Sequence, residues 1–376
     1  MLNKSAIKSA GQMRFDVAVL GAGISGACAA VELARSGLRV ALLGEPANAK
    51  VLDSAETLSS AAKPWLEHLD IWTDFKKIGA LPLVASQSLW GGGAYSKSSL
   101  PSPYGSDWII PKINFINLLH EHAKKYGVHV SWCRWNKVQN HSPGDEKSIY
   151  SVEIDEPPHS ILANAIIDAS GHRASAARQL NAERKCIFHQ TAQIWNISTP
   201  KISTKPWSFT LSHSKGWIYA ATSAHSGHSI SLFSAHHSGQ EASHKTSNRM
   251  AVNKMTSNSQ IKDILKVLGH KMEIYGIENI LKDQRPTLRS ATSSSTWPVA
   301  NRHWVAIGDA ACTLDPLSSS GLLHAIRSAC KGARAIKNSL NGNFNDLESY
   351  SKMTNQFFQK YIHERQQVYL NSKITL

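Results

Sequence analysis

Two glycine-bearing signatures stand towards opposite ends of this chain, and both carry residue types that can hold a phosphorylated, sugar-bearing ligand. The first is Gly21-Ala22-Gly23-Ile24-Ser25-Gly26, directly after the apolar run Phe15 to Leu20. Gly21 permits a tight turn, Gly23 lets the backbone approach a diphosphate, and Gly26 lets the next helix lie close to the strand. With Ala22, Ile24 and Ser25 they offer free N–H groups and the positive end of a helix dipole to the phosphates. Glu45 follows Gly26 by 19 residues, where an acid would hold the hydroxyls of an adenosine ribose. The second signature is Gly308-Asp309-Ala310-Ala311, after Trp304-Val305-Ala306-Ile307. There Asp309 can accept hydrogen bonds from a sugar-alcohol chain. The turn from Pro316 to Gly321 feeds a helix whose first N–H groups, at Gly321 and Leu322, can face a developing negative charge. The first signature alone would suit NAD equally. A chain that opens on one and returns to the other must fold both around one extended ligand, and FAD is the ligand that fits.

Positioning these residues requires strand–turn–helix units at both ends. Phe15 to Leu43 predicts a strand, a turn, a helix from Ile24 to Ser36 stopped by Gly37, and a second strand from Leu38 to Leu43. A helix is expected from Ile113 to Tyr126. Strand-like runs at Val128–Trp132 and Ser148–Ile154, around the polar loop His141 to Lys147, predict an antiparallel meander inserted before the strand that ends at Asp168 and turns at Gly171. From Lys185 to Thr296 the pattern becomes alternating (Thr191–Ile197, Ser208–Leu211, Gly216–Ala221, Ser229–Ser234), as in a half-buried antiparallel sheet. Helices are expected at Ile261–Leu268 and Ile274–Leu281, and a closing amphipathic helix at Asp346–Leu370. The fold class is therefore α/β: a Rossmann-like FAD-binding domain with an inserted β-meander, an antiparallel substrate lobe and C-terminal helices. Residues 13–184 and 301–345 form the cofactor domain, 185–300 the lobe and 346–376 the closing segment.

Composition narrows the partners. The chain of 376 residues can bury a large core, and its formal net charge is +14. The cations are scattered, with no basic stripe interleaved with aromatics, so an acidic protein partner, or simple solvation of the surface, is favoured over nucleic acid. No apolar run is long enough to cross a bilayer. Met1 to Arg14 is basic but lacks an apolar core, so it reads as a short lead and not a secretion signal. The five cysteines have no C-x-x-C spacing and fit small buried thiols in a reducing cytoplasm. His213, His225, His228, His236, His237 and His244 cluster in the lobe without regular ligand spacing or carboxylates, so no metal site is expected.

Taken together, Gly21 to Gly26, Asp168 to Gly171 and Gly308 to Gly321 with its Asp315-Pro316 resemble the flavoprotein monooxygenases of the p-hydroxybenzoate hydroxylase fold, and within them the flavin-dependent halogenase-like branch. Ala55 to Ala62, followed by Pro64-Trp65-Leu66, resembles the family's Gly-Glu-Ser/Thr loop. Trp108 to Leu119 resembles its Trp-x-x-x-Arg-x-x-Phe-x-x-x-Leu segment, with Lys112 in place of the basic residue that approaches the cofactor. The resemblance implies cofactor contacts from Lys112, Val138, Pro316 and Leu322 besides the glycines, Glu45 and Asp309.

Two departures bear on the activity. Gly216-Trp217-Ile218-Tyr219-Ala220-Ala221 lacks the second Trp and the Pro of the halogenases' Trp-x-Trp-x-Ile-Pro element, and no lysine stands around Gln87 to Trp90. The narrower resemblance is to the maturation flavoproteins of lysine- or glycine-oxidase-type quinoproteins. It implies a cytoplasmic FAD-dependent monooxygenase that hydroxylates a tryptophan of an oxidase precursor on the way to cysteine tryptophylquinone, using O₂ and an electron donor. Glu56, Trp90, Trp217 and Pro316 are the residues expected at its catalytic mouth. Alternatives are a monooxygenase or reductase of a small lipophilic or aromatic molecule, and a flavin-containing chaperone of the precursor.

Overall fold

The apolar runs Val17–Leu20 and Val40–Leu43 form strand segments covered on both faces, as parallel sheets require. The computed structural model describes residues 13–46, 54–91, 93–98, 102–142, 148–198, 206–213, 216–224, 227–236, 265, 281 and 283–372. The chain opens with β1 (Arg14–Leu20), α1 (Ile24–Ala34) and β2 (Val40–Gly44). Next come β3 (Glu56–Leu58), α2 (Lys63–His68), α3 (Trp72–Phe75), β4 (Leu81–Pro82), the hairpin β5 (Ala85–Trp90) and β6 (Gly93–Ser98), and β7 (Trp108–Ile110). α4 (Lys112–Lys125) precedes β8 (His129–Trp132), β9 (Trp135–Asn140), β10 (Tyr150–Ile154), β11 (Ser160–Asp168) and α5 (Ser175–Gln179). The second half holds β12 (Glu183–Ile197), β13 (Trp207–His213), β14 (Gly216–Thr222), β15 (His228–His236), β16 (Thr287–Ser290) and β17 (Ser293–Trp297). It closes with β18 (Ala300–Asn301), β19 (Trp304–Ala306), β20 (Cys312–Thr313), α6 (Gly321–Leu340) and α7 (Asn345–Leu370).

The first sheet runs β18-β19-β11-β1-β2-β8, with β19, β11, β1, β2 and β8 parallel. This order sets the ends of β1 and β19 on either side of β11, so the two glycine signatures meet at one sheet edge despite their separation in sequence. Besides β1, β11 serves two further partners. Its first half, Ser160–Ala163, pairs antiparallel with β10, and Ile166–Asp168 pairs parallel with β19. The meander is thus β9-β10-β11. The run Val128–Trp132 lies instead in the parallel sheet beside β2. β9 went unpredicted because only Val138 is buried in an otherwise polar strand. α1 packs between α6 and α4, and the main core spreads over both faces of this sheet.

The second sheet runs β20-β17-β12-β15-β14-β13-β5-β6, with β16 also on β12. Alternation gives it two apolar faces. Trp195, Ile197, Phe209, Ile218, Ile230 and Leu232 form one core; Ala192, Ile194, Trp217 and Phe233 form another with Tyr369 of α7. The helices expected at 261–268 and 274–281 lie outside the described residues except for Leu265 and Leu281, which are helical and buried in the first of these cores. A three-stranded sheet, β3-β7-β4, carries Glu56 and leads directly into α4.

Candidate active site and cofactor cradle

The turn between β1 and α1 is built for close approach. Gly21 has φ +122°, and a Cβ there would lie 2.2 Å from the carbonyl oxygen of Ala169. A Cβ on Gly26 would lie 1.8 Å from the carbonyl oxygen of Gly21, whereas one on Gly23 would meet nothing within 4 Å. Gly21 and Gly26 therefore serve the packing, and Gly23 faces open space. No side chain caps α1 and its first turn contains no acid, so the N–H groups of the Ala22–Gly26 turn point to a site that favours an anion. From α4, His120 braces the turn, its Nε2 donating to the carbonyl of Ala22 at 2.7 Å. Burial lowers the His120 pKa, which keeps it a neutral donor. Glu45, just beyond β2, pairs with Arg134 at 2.7 Å. Val138 is buried, and its N–H donates to Gln179 Oε1 at 2.8 Å.

The second signature lies across the sheet edge. Asp168, fully buried at the end of β11, accepts from the N–H of Ser170 and of Ala177 and so fixes the turn into α5. Burial raises its pKa. Beside it, Gly308–Ala310 make one turn of 3-10 helix. Arg184 of β12 grips that turn: Nη2 donates to the carbonyl of Asp309 at 2.8 Å and Nη1 to that of Ala310 at 2.9 Å. The Asp309 side chain is reachable by solvent, yet the protein crowds it enough that desolvation raises its pKa, against the pull of Lys112 and Arg184. It stands within electrostatic reach of Lys112, Arg184 and Glu56. Lys112, the first residue of α4, sits 2.6 Å from Glu56, whose charge raises the lysine's pKa against desolvation. Asp309 adds to that pull.

A loop then leads into α6. Asp315, 2% exposed, accepts from the Leu317 N–H with Oδ1, and from Arg365 Nε at 2.8 Å and the Tyr369 hydroxyl at 2.7 Å with Oδ2. Pro316 opens a single 3-10 turn that ends at Ser319 in the left-handed region, φ 48°. α6 begins at Gly321 with no side-chain cap and no acid in its first turn. Gly321 and Leu322 thus carry N–H groups that no side chain caps. One turn on, His324 stacks on Phe357 at 5.1 Å, and burial lowers its pKa to about 4.

Leu317 of this loop joins Trp90, Ala192, Ile194, Trp217, Tyr219 and Phe233 in one apolar cluster on the second sheet. Trp217 is only 1% exposed and stacks on Phe233 at 3.8 Å. Trp90 is half-buried, and its Nε1 donates to the carbonyl of Val368. The Tyr219 hydroxyl meets Thr57 Oγ1 at 2.8 Å, next to Glu56. The structure thus groups Glu56, Lys112 and Asp309 in one place, and Trp90 and Trp217 beside the Pro316 loop in another. Glu45 lies just beyond β2, and Val138 lies on β9 of the meander. Arg184, His120, Arg365 and Tyr369 were missed, since each acts over a long sequence separation and belongs to no motif.

In the lobe, His228 is buried against Trp207. His225, His237 and His244 lie outside the described residues, and among the described residues no group of three or more His, Cys, Asp or Glu could hold a metal ion. Also among these residues, no helix is long and apolar enough to cross a membrane.

The cradle fits FAD on three observations: open space at Gly23, two uncapped helix N-termini, and a crowded acid between two cations. Comparison with known proteins agrees. The tryptophan halogenase family model matches residues 97–361. The flavin-dependent halogenase armH3 of Armillaria mellea is 24% identical over 89% of this chain and 69% of its own length. The FAD-dependent oxidoreductase LodB of Marinomonas mediterranea is 22% identical over 96% of this chain and 94% of its own. Among solved structures, the peptidyl tryptophan dihydroxylase QhpG, described as essential for tryptophylquinone cofactor biogenesis, superposes with a TM-score of 0.70 at 18% identity, covering 96% of this chain and 76% of QhpG. With most of its length matched by the family model and its glycine signatures folded into one cradle, this chain belongs to the tryptophan halogenase family and is an FAD-dependent oxidoreductase.

Proposed function

We propose that the protein is an FAD-dependent monooxygenase that hydroxylates a tryptophan of a partner protein, the precursor of a quinoprotein amino-acid or amine oxidase, during formation of a cysteine tryptophylquinone. The observation that carries this reading is the packed aromatic cluster of Trp90, Trp217 and Tyr219 against Leu317 of the Asp315–Gly321 loop, which we read as the wall of the substrate site, in a chain aligned with LodB over 96% of its length. The wall's side chains are aromatic, aliphatic or hydroxylic, and suit an indole. The likeness to QhpG, which acts on a peptidyl tryptophan, extends the reading to a protein-borne substrate. A formal charge of +14 suits an acidic partner.

Bound and reduced, FAD supplies the two electrons that activate O₂; one oxygen atom enters the substrate and the other leaves as water. The chain's own residues bind and orient. Gly21 to Gly26 hold the diphosphate against the N-terminus of α1. Glu45 and Val138 serve the adenosine end. Asp309 takes the sugar-alcohol hydroxyls, with Lys112 balancing its charge. The N–H groups of Gly321 and Leu322 stabilise negative charge at the flavin's pyrimidine edge, and Pro316 fixes the loop before them. Glu56 orients the substrate or the flavin edge, while Trp90 and Trp217 shape the wall and exclude water.

The test is co-expression with candidate oxidase precursors, followed by mass spectrometry of the partner. Added oxygen on one tryptophan supports the proposal. The armH3 match favours halogenation as a second reading, so chloride and bromide are included with free aromatic substrates. A halogen on any product, or oxygen only on a small molecule, overturns the proposal. Partner binding without a mass change points to a chaperone.

A further inference from the structure

α7 carries an unusual buried stripe. Phe358, Tyr361, Arg365 and Tyr369 recur every three or four residues on one face, and all four are buried. A charged residue in such a stripe seldom adds stability over an apolar one, because desolvation offsets the attraction to its partner. Here the partner is Asp315. The two side chains are 3% and 2% exposed, with Arg365 Nε 2.8 Å from Asp315 Oδ2. The guanidinium is sandwiched between the rings of Phe188 and Tyr369, each centroid 4.0 Å away. The Tyr369 hydroxyl donates to the same carboxylate oxygen, and the Tyr361 hydroxyl accepts from the N–H of Asp315. The stripe thus holds Asp315 by its backbone and by one carboxylate oxygen, leaving the other oxygen for Leu317.

The same turns of α7 also hold the wall. Tyr369 lies edge-on to Trp90 at 5.6 Å, and the carbonyl of Val368 accepts from Trp90 Nε1 at 2.8 Å. Gln190 of β12 donates to the Tyr369 hydroxyl at 3.2 Å. Tyr369 therefore touches the Asp315 loop, the β5–β6 hairpin and β12 at once.

We propose that Arg365 and Tyr369 are positioning residues: through Asp315 and Trp90 they fix the Pro316–Gly321 loop against the substrate wall, and so set the flavin edge relative to the substrate. The cofactor half of this inference rests on the proposed reading of the site. The geometry of α7 carries the loop half independently.

The full-length chain is tested as Tyr369→Phe and Arg365→Lys, with Leu370→Ser, at an exposed position, as control. Three readouts are taken: melting temperature without cofactor, amide exchange of Leu317, Ser318 and Ser319 without cofactor, and the affinity and visible spectrum of bound FAD. Tyr369→Phe is expected to melt within a few degrees of wild type. It is also expected to exchange the loop amides roughly tenfold faster and to bind FAD more weakly with an altered spectrum. Arg365→Lys should do the same more strongly; if it does not fold, Tyr369→Phe decides alone. Unchanged loop exchange and an unchanged flavin spectrum in the folded variants would overturn the proposal. A wild-type chain that takes up no FAD overturns the reading of the site and the cofactor half, while the exchange arm still decides the loop half.

Discussion

Lys112 Nζ lies 2.6 Å from Glu56 Oε1, joining the start of α4 to β3 at the point where both face Asp309. One cation thereby sits between two acids. Removing it leaves the like charges of Glu56 and Asp309 without the cation that both interact with. Lys112→Met is therefore expected to weaken FAD binding roughly tenfold, the equivalent of about 1.4 kcal/mol. That is below the cost of breaking a fully buried pair, because both side chains keep some contact with water. Glu56→Gln, which leaves Lys112 with Asp309, should cost less. Flavin fluorescence titration measures both; equal affinities for wild type and Lys112→Met would show that the lysine does not serve the cofactor.

The glycine turn separates folding from binding. Gly26→Ala drives a methyl into the carbonyl of Gly21, and a loss of about 1–3 kcal/mol of stability is expected. Gly23→Ala meets open space at φ −75°, so the melting temperature should hold while FAD affinity falls. Chemical denaturation and cofactor titration on the two variants should give opposite rankings.

Buried imidazoles make the fold acid-sensitive. His324 has its pKa lowered to about 4, and burial lowers those of His120 and His228 as well. In the unfolded chain these residues take up protons near pH 6.5. A native state that resists protonation therefore loses stability as pH falls below about 6.5, by at most about 1.4 kcal/mol per pH unit for each group. For His324 the loss continues until pH reaches its folded value of about 4. His324→Gln should flatten the decline of melting temperature between these limits, and an unchanged slope would place His324 outside the titrating set.

Thiol reactivity should single out one residue. Cys28, Cys133, Cys312 and Cys330 are buried, and Cys186 is exposed. Burial pushes the Cys312 and Cys330 thiols up to about 12 and raises those of Cys28 and Cys133. Alkylation of the native protein, mapped by peptide mass spectrometry, should label Cys186 well ahead of the rest.

What could be read from the sequence was local. The turn at Gly21 to Gly26 was legible because only glycine tolerates such approaches, and β12 to β15 because alternation marks a half-buried sheet. The closing helix at α7 announced itself by its period. β9 stayed hidden because one buried valine makes no pattern. Arg184 and His120 stayed hidden because their partners lie 125 and 98 residues away. The stacking of Trp217 on Phe233 depends on strand register, which no single strand reveals. Asp315 was recognised by its motif, but not that α7 returns to hold it.

β12 is long enough to belong to both ends of the molecule. Its first residues pair with β17 and place Arg184 on the Asp309 turn, while Trp195 and Ile197 at its other end pack into the outer core. A chimaera that borrowed a relative's sheet would have to bring this strand whole or leave it whole. Splicing within it would part the Asp309 turn from the sheet core that the same strand builds.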